Sequence, residues 1–275
     1  MIHKYCYFDG KIIPVNKARI VPNDLGVLRG YGAFDFSRTY NGKLFRPKDQ
    51  YARFQNSTKK IGLKLPVSGK KFEEILYQLL KKNKVADASF RAVMTGGPSE
   101  DMISVKKPLL FILVEPAYAP TPIQYSKGVK LITHEYMRYA PEAKTTNYIE
   151  AVKLQKEKKK QGAFEILYTF NGNIFECASS NFFLFKGKTL VTAKNSVLPG
   201  ITRKTVLTIA KPHFNIEERE VSFSEISEAD EVFITGANKK ILPIVKIGNI
   251  VIGSGKVGEQ TKILQRLFDE YVSAW

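Results

Sequence analysis

The sequence predicts an α+β fold of two domains with mixed sheets. Three observations carry that expectation: clusters of strand-like runs broken by single helical patterns, Asx-Gly turn signals between those runs, and one proline-dense stretch near residue 120. Residues 90–95 alternate, and 109–115 are continuously apolar. Residues 129–133, 164–170, 181–185 and 231–235 are the other strand candidates. Asp9-Gly10, Asn41-Gly42 and Asn171-Gly172 suit the positive φ angles of type I′ hairpins, and Lys186-Gly187 is a weaker version. Helical periodicity appears at 48–60, 70–82, 147–161, 202–211 and 258–274. Pro116, Pro120 and Pro122 stiffen the chain and oppose both helix and central strand. The division expected there is a smaller N-terminal domain, 1–118, a linker, 119–124, and a larger domain, 125–275.

Composition narrows the class. A chain of 275 residues that is 44% hydrophobic buries a core without staples, and its two cysteines, Cys6 and Cys177, form no disulfide framework. The first nine residues lack the apolar run of a leader, which together with the cysteine usage points to a cytoplasmic location. The longest clean apolar run, 109–114, is too short to span a bilayer. Lys plus Arg number 43 against 26 Asp plus Glu, a net charge of +17. A nucleic-acid surface is the sharp reading of that excess, but no RNP, KH or zinc-finger pattern accompanies it, and basic charge alone is a weak warrant. The densest lysine cluster, 153–160, falls on a helical stretch whose apolar residues Tyr148, Ala151 and Val152 mark the opposite face.

Four places carry chemistry. Lys144 sits between a Pro141 turn and a helical pattern, where a lysine can point into a cleft. Glu176 lies between apolar and small polar residues, and a carboxylate buried there needs a cationic partner. Gly200-Ile201-Thr202 opens a helix, so the free N–H groups of Ile201 and Thr202 suit a phosphate. Thr235-Gly236-Ala237-Asn238 follows a strand and suits a second anion-binding backbone loop. Alone, each has a plainer reading as a solvated side chain, a cap or a turn. Gly253-Ser254-Gly255-Lys256 lacks P-loop spacing.

Taken in order, Arg53, Lys144-x-x-Asn147-Tyr148, Glu176 to Asn181, Leu198 to Arg203 and Thr235-Gly236 resemble the class IV, or fold-type IV, aminotransferases. That group includes D-amino acid and branched-chain aminotransferases and aminodeoxychorismate lyases, and the resemblance covers nearly the whole chain. It implies pyridoxal 5'-phosphate (PLP) as cofactor, with Lys144 as the Schiff-base lysine. Arg53, Tyr148, Glu176, Ser179, Ile201, Thr202, Gly236 and Ala237 then match cofactor-binding positions. Glu176 pairs with the ring nitrogen and keeps the ring an electron sink. The resemblance also implies a homodimer and amino acid and 2-oxo acid substrates, 2-oxoglutarate or pyruvate among them.

Arg29, Tyr31, Phe34, Arg38 and Arg91 resemble the substrate side of these enzymes. The loop 96–105 has no Arg-x-His pair, the carboxylate trap of the best-known D-amino acid enzymes, so Arg29, Arg38 and Arg91 are the candidate traps. Two departures stand out: Ala237 replaces a frequent hydroxyl residue, and Lys239-Lys240 stand where small or acidic residues are usual, adding positive potential near the pocket mouth. Cys177 after Glu176 resembles the lyases and equally suits a small core residue. The alternatives are therefore a transaminase, a lyase releasing pyruvate and, from another class, a nucleic-acid-binding protein on a decayed enzyme fold.

Overall fold

The structure, a computed structural model, describes residues 2–275. Met1, where the stretch inspected for a leader begins, lies outside the described residues. The chain divides into two compact units. The first comprises the chain up to Tyr118 together with Ala143–Tyr148 and Trp275; the second comprises Ala119–Glu142 and Ile149–Ala274. The division is thus not linear, because the segment with Lys144 clusters with the N-terminal unit.

The first unit holds strands β1 (Tyr5–Phe8), β2 (Lys11–Pro14), β3 (Gly32–Tyr40), β4 (Lys43–Leu44), β5 (Ala88–Thr95) and β6 (Leu109–Pro116). They form one antiparallel sheet in the order β2-β1-β6-β5-β3-β4. Helices α1 (Leu25–Arg29), α2 (Pro47–Lys60) and α3 (Gly69–Asn83) complete it. In α3, Phe72, Ile75, Leu76, Leu79 and Leu80 recur at helical spacing and are all buried. They meet Phe54 of α2 and the inward residues Phe90, Ala92, Met94, Leu110, Ile112 and Val114 of the sheet. The Ser68 hydroxyl caps α3 by accepting from Lys71 N–H at 3.3 Å.

The second unit holds β7 (Val129–Glu135), β8 (Glu165–Phe170), β9 (Asn173–Cys177), β10 (Asn181–Lys186), β11 (Thr189–Ala193), β12 (Asn215–Arg219), β13 (Val221–Ser222), β14 (Glu231–Gly236), β15 (Lys240–Ile247) and β16 (Ile250–Val251). Its helices are α4 (Pro122–Lys127), α5 (Ile149–Lys153), α6 (Gln155–Lys160), α7 (Ile201–Ala210) and α8 (Glu259–Ser273). The sheet is mixed: β7 pairs in parallel with β8 and β15, while β14 is antiparallel to β10 and β15. A single pairing, Glu176 opposite Asn181, joins β9 to β10 and closes the ladder β10-β14-β15-β7-β8-β9 on itself. At α8 the buried Glu231 carboxylate accepts from the N–H groups of Gln260 at 3.0 Å and Thr261 at 2.7 Å, favourable at a helix N-terminus.

Several expectations need correction. The helical pattern at 147–161 is two short helices broken at Leu154, whose ψ of 0° leaves the helical range. Val152 is 68% exposed, so it does not mark the buried side; Ala151 does. In the stretch read as a linker, Thr121 caps α4 and residues 122–124 form its first turn. At 186–189 the central turn pair is Gly187-Lys188, since Lys186 pairs with Thr189 and Gly187 takes φ 53°. Both residues of Asp9-Gly10, Asn41-Gly42 and Asn171-Gly172 take positive φ, as type I′ turns require.

Candidate active site

In the first unit the segment Ala143–Tyr148 lies along the start of β3. Phe34 N–H donates to Lys144 O at 2.8 Å, Thr146 N–H donates to Gly32 O at 3.0 Å, and Ala33 bridges Thr145. Lys144 N–H donates to Ser57 Oγ at 3.0 Å, which itself donates to Arg53 O one turn back in α2. Glycine at 32 keeps both neighbours close: a Cβ there would stand 2.7 Å from Met94 O of β5 and 3.3 Å from Thr146 Oγ1 of this segment. The Lys144 backbone is therefore pinned on both sides. Its Nζ stands 4.5 Å from the centroid of the Phe34 ring, and Tyr148 meets that ring edge-on at 5.5 Å.

The arginines of this unit are differently engaged. Arg53 forks onto the buried Asp35 at 2.8 and 2.9 Å; among the described residues its Nη1 has no partner. Arg91 forks onto Glu115 at 2.6 and 3.1 Å and lies 5.8 Å from the Phe34 centroid. Arg29 is exposed and donates to the Met102 and Leu28 carbonyls. Arg38 is buried, stacks on Tyr40 at 4.2 Å and leaves Nη1 without a partner. The Tyr31 hydroxyl donates to Ile61 O. Of the three candidate traps, Arg91 alone shares a ring with Lys144.

In the second unit Glu176 sits at the closing point of the sheet. Its Oε1 accepts from Arg138 Nε at 3.1 Å, and its Oε2 accepts from Leu198 N–H at 2.9 Å and Asn181 Nδ2 at 3.3 Å. Arg138 also donates to Ala178 O at 2.6 Å and lies over Tyr168. Asn181 Nδ2 further donates to Leu198 O at 2.9 Å, so this side chain ties the carboxylate to the turn before α7. Gly200 caps that helix without a side-chain acceptor, and a Cβ there would stand 2.0 Å from Asn181 Oδ1. The first N–H groups of α7 therefore have no side-chain cap at Gly200, where only glycine fits beside Asn181, and a helix N-terminus of that kind suits a phosphate.

Beside it, β14 ends at Gly236, and Lys239 N–H closes the turn onto Gly236 O at 3.0 Å. Lys239 and Lys240 do not add free positive potential: Lys239 Nζ pairs with the buried Glu165 at 2.6 Å, and Lys240 Nζ with Asp269 at 2.7 Å. Ser179, grouped by sequence with the cofactor-binding residues, donates its hydroxyl to Glu165 at 2.7 Å. Cys177 is buried in the core cluster, and burial pushes its thiol well above the ordinary range, as suits a packing residue.

Sequence reasoning missed Arg138, Glu165 and Ser57. Arg138 left one signal: it is the sole arginine between Arg91 and Arg203, and it sits among aromatic residues. Glu165 and Ser57 left none, because their roles depend on Lys239 and Lys144, far away in sequence.

Residues 32–247 match the family Amino-transferase class IV. A D-alanine aminotransferase of Staphylococcus aureus (strain N315) is 29% identical over 98% of this chain and 98% of its own length. A Methanocaldococcus jannaschii protein, provisionally named a branched-chain-amino-acid aminotransferase, is also 29% identical, over 98% of this chain and 96% of its own. Among solved structures, the Escherichia coli branched-chain amino acid aminotransferase superposes with a TM-score of 0.91 at 25% identity, covering 98% of this chain and 94% of that one. The chain belongs to the class IV aminotransferase family. It is a PLP-dependent transaminase with the fold of that group. Among the described residues no helix is long and apolar enough to cross a membrane.

Proposed function

We propose that this enzyme moves an amino group between an amino acid, D- or branched-chain, and a 2-oxo acid such as 2-oxoglutarate or pyruvate, with Lys144 as its Schiff-base lysine. The observation that carries the reading is the pinned Lys144 backbone beside Phe34, on a segment bonded to β3 and α2. A lysine that takes a proton from one carbon and returns it to another must be held in place while its Nζ stays movable. Bound PLP supplies the electron sink.

The remaining roles follow the chemistry of each group. The Glu176 carboxylate holds the ring nitrogen protonated, and Arg138 and Asn181 fix its orientation. The N–H groups of Ile201 and Thr202 and the backbone of Gly236 and Ala237 would hold the phosphate, and Arg53 is assigned to the cofactor by the resemblance alone. Arg91 is the best candidate for the substrate carboxylate, because it lies over the same Phe34 ring as Lys144. The working form proposed is a homodimer, which sedimentation of active enzyme tests. Borohydride reduction of the yellow holoprotein followed by peptide mapping tests the lysine: the label is expected on Lys144, and a label elsewhere ends the assignment. A half-reaction screen against L- and D-amino acids identifies the substrate and separates transaminase from lyase.

A further inference from the structure

Lys239 is a departure from the family pattern, and its surroundings are built rather than incidental. Its side chain is only 14% exposed, and the ammonium donates to Glu165 Oε2 at 2.6 Å and to Ser179 Oγ and Ser180 Oγ at 2.7 Å each. All three of its protons are used. Glu165 is matched equally fully: Oε1 accepts from Ser179 N–H at 2.5 Å and Ser179 Oγ at 2.7 Å, and Oε2 accepts from Ser180 Oγ at 2.8 Å. Burial raises the Glu165 carboxyl, but the Lys239 charge and these hydrogen bonds outweigh it and hold the group below its ordinary range. Phe164 covers the ammonium at 5.9 Å.

Three chain segments meet at this one nitrogen: the start of β8, the Ser179-Ser180 turn after β9, and the turn after β14. The Ser179-Ser180 turn is bonded in turn to the strand of Glu176, since Cys177 N–H donates to Ser180 O at 2.7 Å. The turn after β14 is held from its other side by the Tyr125 hydroxyl, which donates to Lys239 O at 2.9 Å. Gly236 packs close enough that a Cβ on it would touch Ser179 O at 3.4 Å and Ser180 Oγ at 3.5 Å.

We infer that Lys239 is a positioning residue that staples the Gly236-Ala237 turn to the Ser179-Ser180 turn and so fixes the backbone offered to the cofactor phosphate beside the strand that carries Glu176. The inference rests on the reading above, in which Gly236, Ala237 and Glu176 face PLP. It also gives a physical place to Ala237: where a hydroxyl is missing from the phosphate loop, a rigid backbone keeps the remaining N–H groups aimed without reorganisation on binding. A lysine serving only as counter-charge for Glu165 would need neither serine.

The test uses Lys239→Met, which strands the Glu165 charge, and the double variant Lys239→Met/Glu165→Gln, which removes the charge with it. PLP dissociation is measured by equilibrium dialysis, and amide hydrogen exchange is followed in the apoproteins. The double variant is expected to recover most of the melting temperature that the single one loses, yet to bind PLP weaker by on the order of tenfold or more. Exchange in the double variant should quicken at 178–180 and 236–240. If the double variant regains stability and binds PLP as wild type does, or if exchange at both turns is unchanged, the staple is overturned and Lys239 merely neutralises Glu165. The Lys144 assignment fails on wild-type protein alone, by a misplaced borohydride label, so the two failures are distinct.

Discussion

Gly200→Ala isolates the coupling between the Glu176 carboxylate and the α7 N-terminus. The backbone at Gly200, φ −65° and ψ 134°, suits alanine, so conformational strain plays no part. The new Cβ instead falls 2.0 Å from Asn181 Oδ1 and 3.2 Å from Arg203 Cβ. Asn181 must move, and it gives up its bonds to Leu198 O at 2.9 Å and to Glu176 Oε2 at 3.3 Å. Two hydrogen bonds at ~0.5–1.5 kcal/mol each and an overpacking cost of ~1–3 kcal/mol give about 2–6 kcal/mol in all. Urea unfolding of apo- and holoprotein reads this as a fall in midpoint at constant slope. Asn181→Ala alone costs only the hydrogen bonds, about 1–3 kcal/mol. In the double variant the clash with Asn181 has no partner, so its cost should match that of Asn181→Ala rather than the sum, a coupling equal to the whole Gly200→Ala cost of about 2–6 kcal/mol. Strictly additive losses, or a Gly200→Ala protein as stable as wild type, would refute the reasoning.

Glu176→Gln turns a carboxylate that accepts from Arg138, Asn181 and Leu198 into an amide that cannot serve them alike; turnover should fall by on the order of 10²-fold or more, well beyond any loss of PLP affinity, and near-normal turnover would remove Glu176 from its role. Arg91→Leu should weaken amino acid and 2-oxo acid binding by ~2–5 kcal/mol in half-reaction titrations while PLP binding survives; unchanged kinetics would move the carboxylate trap elsewhere. Arg53→Ala strands the buried Asp35 charge and should cost about 3–5 kcal/mol of stability, read by denaturant midpoint in apoprotein, where phosphate plays no part. Glu225 is held down to about 2 by hydrogen bonds from Arg219, against burial; a depressed carboxyl stabilises above its ordinary value near 4.5 and loses that contribution as pH falls toward about 2, so Glu225→Gln should lower the melting temperature at neutral pH and make little difference near the acid end.

The long apolar elements were legible because periodicity reports burial directly. The helices at 48–60, 70–82, 202–211 and 258–274 differ from the observed ones by a residue or so at each end. β15 was hidden by Pro243, which argues against a central strand. The structure accommodates it because pairing with β7 starts one residue later, at Ile244 opposite Val129. The Asn147–Gln161 region misled because Tyr148 belongs with Lys144 and Phe34, so its apolar face follows a different neighbour. In the candidate site, residues in a recognisable local order were legible: Lys144, Glu176, Gly200 and Gly236. Arg138 and the Lys239–Glu165 pair were not, because each is defined by a contact across the sheet, which linear spacing does not encode.

The docking of Ala143–Tyr148 on the first unit sets an order of events during synthesis. Thr146 meets Gly32 across a separation of 114 residues. Every strand of the first sheet lies before Tyr118, so its ladder can zip up while the lysine segment is still to be translated. Closing so long a loop is slow, and topologies rich in such contacts fold late. A nascent chain therefore acquires its first sheet before Lys144 is seated, and the Lys144 side chain is ordered only once the strap has threaded back. Ribosome-stalled chains ending shortly after Tyr118 should already protect the amides of β5 and β6, while β3 keeps an unpaired edge at Gly32 to Phe34 that binds the strap later in synthesis.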